Sequence, residues 1–77
     1  MNLYDVTLED LNAYIEALEL VHEQASIAAT KAYIKYHDNG TQTNLNVFNE
    51  LKDARNKAYE PLSAAYRVKC DRIFPKK

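Results

Sequence analysis

The chain holds one glycine, Gly40, and two prolines, Pro61 and Pro75. Gly and Pro are the strongest local interrupters of a regular backbone, so nothing before the stretch "HDNG" at 37–40 tells the chain to turn. Apolar residues in that first stretch fall on a helical period: Leu11 and Leu18 seven apart, then Val21, Ala25, Ala29, Ala32 and Tyr36 at steps of three or four. This is the period of a helix with one buried stripe. Thr7 stands just before the first periodic residue with Asp10 three positions on, a weaker relative of the Ser/Thr-x-x-Glu capping box. Glu9 and Asp10 suit the positive end of a helix dipole. The spacing predicts helix 1 from about Leu8 to His37. Gly40 can take the left-handed conformation that closes a helix, and Thr41–Asn46 offers several caps for the next one. A polar loop over about 38–45 follows.

From Leu45 or Val47 onward the helical period resumes through Phe48, Leu51, Ala54, Ala58, Leu62 and Ala65, with Val68 and Ile73 extending it. This predicts helix 2 over about 46–73. Pro61 lacks an N–H and crowds the carbonyl of Lys57, so a kink, or a break into two helices, is expected there. Pro75 ends the periodic region. The fold class is therefore all-α: one domain spanning 1–77, an antiparallel helical hairpin that assembles into a helical-bundle dimer. A turn near 40–42 sets Leu11 beside Arg72 and Ile73, Ile15 beside Val68, Leu18 beside Ala65, Ala25 beside Ala58, and Ala29 beside Ala54.

Charge fits that hairpin. The first 30 residues carry Asp5, Glu9, Asp10, Glu16, Glu19 and Glu23 with no Lys or Arg, whereas all ten basic residues lie in 31–77. Folding back sets the acidic half of helix 1 beside Arg67, Lys69 and Arg72. Exposed pairs of this kind contribute only about 0–1 kcal/mol each.

Helix 1 has apolar residues that helix 2 cannot cover. At about 100° per residue, Leu20, Ile27 and Ile34 lie opposite the Leu11–Leu18–Ala25 stripe, with Ala13 extending the line. Their strict seven-residue recurrence is the coiled-coil period, and Glu16, Glu23, Gln24, Thr30 and Lys31 flank them as a polar rim. The pattern points to a protein partner, with Leu20, Ile27, Ile34 and Ala13 as apolar contacts and Glu23 and Lys31 beside them. A second copy is the default partner, since twofold homodimers are the commonest oligomers. Two competing readings are a third helix after Pro61 that crosses over to cover this face, and the scattered exposed aliphatics found on any soluble protein.

The remaining residue types do not assemble a chemical site. His22 and His37 are fifteen residues apart and Cys70 has no second cysteine, so no zinc spacing is present. His22 reads as a core-edge residue and His37 as a cation at a helix C-terminus. The carboxylates of helix 1 read as a solvated face. One glycine cannot build a phosphate-binding loop, and no serine-nucleophile motif occurs. No catalytic residue, metal or cofactor is expected, and the chain is not expected to be an enzyme. Of six tyrosines, Tyr33 and Tyr36 on helix 1 and Tyr59 and Tyr66 on helix 2 read as flanks of the seam.

With 47% apolar residues, no run near the roughly 20 of a membrane span, an acidic N-terminus and one cysteine, the sequence reads as a cytoplasmic protein without membrane contact. The expected function is a small protein-binding regulator, adaptor or inhibitor, of the kind found among bacterial and phage accessory proteins. The alternative is nucleic-acid binding through Arg67, Lys69, Arg72, Lys76 and Lys77, since small dimeric helical hairpins of this size can bind RNA.

Overall fold

The computed structural model describes residues 2–75. Two helices make up the fold: α1 over Leu8–Asp38 and α2 over Gln42–Ile73, packed against each other as an elongated hairpin of 52 × 22 × 18 Å. The competing three-helix arrangement is excluded by this topology, because α2 continues through Pro61 without a break.

The N-terminus of α1 is fixed by local chemistry. Thr7 is the N-cap in extended conformation, and its hydroxyl accepts from the Asp10 amide at 3.0 Å. Val6, just outside the cap, is half-buried against the cluster that contains Leu11. These two hold the positions of a hydrophobic staple, which sets the angle at which the chain enters the helix. Ahead of it the Asp5 amide donates to the Asn2 carbonyl at 3.1 Å, and this turn brings Leu3 onto the same cluster.

The loop is shorter than the sequence predicts. It contains Asn39, Gly40 and Thr41, and α2 begins at Gln42, four residues ahead of its expected start. Thr41 is the new N-cap, accepting from the Asn44 amide at 3.2 Å, while the Asn44 side chain donates to the Asn39 carbonyl at 2.8 Å. Asn44 thus spans the loop and ties the end of α1 to the start of α2. Gly40 does not take the left-handed conformation: no residue has a positive φ among the described ones. The helix ends instead at an extended Asn39, whose amide donates to the Lys35 carbonyl at 3.0 Å.

The seam between the helices follows a four-then-three spacing on α1: Leu11, Ile15, Leu18, His22, Ala25, Ala29, Ala32 and Tyr36 are all buried or half-buried. Val21 is not in it and lies 53% exposed. Both Val21 and His22 are three or four residues from Leu18 and Ala25, and apolar character favours Val21. His22 lies seven residues after the buried Ile15 and seven before the buried Ala29, and that phase wins. On α2 the seam runs through Phe48, Leu51, Arg55, Ala58, Leu62 and Ala65. Ala54 is exposed, so the expected Ala29–Ala54 contact does not form, and Ala29 instead faces a recess shared with Phe48 and Arg55.

The two halves of the seam differ in quality. Leu11, Ile15, Leu62 and Ala65 form the buried core near the chain ends, with Leu3, Val6, Tyr14, Leu18, Tyr66 and Val68 packed around it. Towards the loop the buried residues are Ala29 and Ala32. Small side chains let the helix axes approach closely but remove little apolar area from water. Half of the six buried apolar residues among those described are alanine, so the hairpin has a thin core for its length.

Candidate protein-binding face

The side of α1 turned away from α2 carries three large aliphatic side chains that the hairpin leaves uncovered. Leu20, Ile27 and Ile34 are 54%, 48% and 55% exposed. Seven-residue steps at 1.5 Å per residue place them roughly 10 Å apart in a line about 21 Å long. Ala13, Glu23 and Lys31 are also exposed, on the same side of the helix. One uninterrupted helix therefore holds all six sequence-predicted contact residues, and the rigidity of that helix fixes their spacing. Val21, which the apolar period places in the seam, is exposed at the seam's edge.

The residues of the alternative basic site are distributed differently. Arg67 is exposed, whereas Lys69 and Arg72 are half-buried. The guanidinium Nη1 of Arg72 donates to the Leu3 carbonyl at 3.1 Å, so this arginine anchors the N-terminal turn. Lys76 and Lys77 lie outside the described residues.

Two tyrosines make the cross-hairpin ties that charge patterning alone did not show. The Tyr66 hydroxyl donates to Glu19 Oε2 at 2.7 Å and the Tyr4 hydroxyl to Asp71 Oδ2 at 3.0 Å. Each hydrogen bond to a carboxylate, reinforced by partial desolvation, holds its phenol above the ordinary tyrosine pKa. The signal available in the sequence was the set of six tyrosines beside an acidic helix. The sequence pattern reads Tyr33, Tyr36, Tyr59 and Tyr66 as seam flanks, and the Tyr59 ring, 5.4 Å from that of His22, and the Tyr33 ring, 5.3 Å from that of Phe48, do flank the seam.

An open recess of about 250 Å³ beside the alanine half of the seam is lined by Ala29, Thr30, Tyr33, Phe48 and Arg55. Arg55 is the one charged residue in its lining. Lys52 places its ammonium 5.6 Å from the Phe48 ring centroid, a cation–π contact at the same end. Among the described residues no three His, Cys, Asp or Glu side chains cluster as metal ligands, and Cys70 is an exposed free thiol. No described helix is long and apolar enough to cross a membrane. No protein-family model matches the chain, and neither a curated protein nor a solved structure does.

Proposed function

We propose that this chain is a small non-enzymatic cytoplasmic protein that acts by binding another polypeptide through helix–helix contact, as a regulator, adaptor or inhibitor. The observation that carries this reading is the exposed line of Leu20, Ile27 and Ile34 on the side of α1 opposite α2. Single exposed aliphatics are ordinary. Three in one helical phase, on a hairpin whose own core is thin, form a surface that gains from being covered. Full burial of such a side chain is worth about 1.5–3 kcal/mol, which is large for a domain of this size. Glu23, Lys31 and their neighbours would set orientation and specificity at the rim. Nucleic-acid binding has less support, since Arg72 is engaged by the Leu3 carbonyl.

A photoreactive side chain in place of Ile27, in the full chain in cell extract, tests the reading against the same group at Asp53, which is exposed on α2. Protein adducts at position 27, sparse at position 53, are expected. Adducts mainly with nucleic acid, or equal labelling at both positions, would overturn it.

A further inference from the structure

We propose that the occupant of this face is a second copy of the same chain, packed antiparallel against α1 about a twofold axis that passes at Ile27. The inference rests on the protein-binding reading above and specifies its partner. Three observations point to it. The apolar line is centred on Ile27, with Leu20 and Ile34 equally spaced on either side and all three about half exposed. Turned end over end about Ile27, the line meets itself: Ile27 faces Ile27, and Leu20 faces Ile34 of the second copy.

The charges along the face have the same property. Its N-terminal half carries Glu16 and Glu23, and its C-terminal half carries Lys31 and Lys35, all exposed. In the antiparallel register Glu23 comes level with Lys31 of the second copy, twice by symmetry. The like-charged approach, Glu16 to Asp38, falls at the ends of the contact, where solvent screens it. A parallel pairing would instead set Glu16 beside Glu16 and Glu23 beside Glu23, and would align the two helix dipoles. A surface that is complementary to its own reverse is the requirement of a twofold contact.

The third observation is the shortage of core within one chain. The loop half of the hairpin buries Ala29 and Ala32, and Ile27 and Ile34 stand on the opposite side of that same stretch. A second copy there adds large apolar contacts where the hairpin has fewest. Because this face lies directly opposite α2, the assembly is a flat row in the order α2, α1, α1, α2, every neighbour antiparallel, rather than a square of four helices.

Disulfide trapping in the purified full chain tests the arrangement, with Cys70→Ser removing the native thiol and single cysteines placed at Leu20, Ile27 or Ile34. Helical pairing brings the two Cα atoms on the axis near the 4.4–6.8 Å that a disulfide needs. The two copies of position 20 lie about 21 Å apart along the helices. Under mild oxidation Ile27→Cys is expected to link to itself; Leu20→Cys and Ile34→Cys are expected to link only when mixed with each other. Ile27→Glu should weaken the dimer on the order of 100-fold or more while keeping its helicity. Self-linking at all three positions would show parallel pairing and overturn the proposal. Linking at none, with a solution mass of one chain at all concentrations, would overturn the second copy as partner. Protein binding as such would then still stand if Ile27 photolabelled a different polypeptide.

Discussion

At Gly40 the residue type exceeds what the backbone requires. Its φ is not positive, and a Cβ built there would meet the Tyr36 carbonyl oxygen at 3.7 Å, an ordinary contact. Gly40→Ala should therefore raise stability by about 0.4–1 kcal/mol, by restricting the unfolded chain. Thr41→Ala, one position on, should lower it by about 1 kcal/mol, because the Asn44 amide loses its acceptor. Thermal melts of both variants read these opposite signs directly. Tyr66 and Tyr4 give a pH signature. Both phenols have folded pKa values raised by their carboxylate acceptors. The folded state thus holds these protons more tightly than the unfolded state. Their contribution is complete below the unfolded value of about 10 and is lost as pH rises through the folded values. Alkaline denaturation of the Tyr4→Phe, Tyr66→Phe double variant should show a shallower loss of stability above about pH 10 than the native chain.

Pro61 is the element-scale anomaly. It sits exposed within α2, removing one backbone hydrogen bond from a helix that nonetheless runs from Gln42 to Ile73. Interior proline costs about 3 kcal/mol relative to alanine in an exposed helix, so Pro61→Ala should stabilise the fold by about 1–3 kcal/mol, measured by urea unfolding. The two helices, the Thr7 cap and the exposed position of Leu20, Ile27 and Ile34 were legible because each follows from local chemistry or from the period of one helix. The placement of Val21 and Ala54 was not. Each has an apolar side chain one position from a seam residue, His22 in one case and Arg55 in the other. Long side chains with a polar end can lie along a seam with the end in water, so polarity hid the true phase. The early start of α2 was obscured in the same way. Gln42, Thr43 and Asn44 have the composition of a loop, but the cap at Thr41 commits them to the first turn.

The molecule as a whole separates two kinds of apolar contact. Leu11 is wholly buried among Ile15, Leu62 and Ala65, and Leu11→Ala should cost about 2–5 kcal/mol, most of the stability of so small a domain. Circular dichroism at low protein concentration should register that loss, whereas Ile27→Glu, at an exposed site, should leave the dilute hairpin helical. The position of the core has a further consequence for the order in which the chain opens. Its tightest packing joins residues about fifty positions apart in sequence, next to the termini, while the turn closes on alanines and an open recess. Forming the turn alone therefore gains little, and the search for the native state must close nearly the whole chain before strong contacts reward it. Once formed, the hairpin should loosen from its bend. Amide hydrogens in 30–36 and 46–54 are expected to exchange through small local openings. Those around Leu11–Ile15 and Leu62–Ala65 should be released only when the entire chain unfolds.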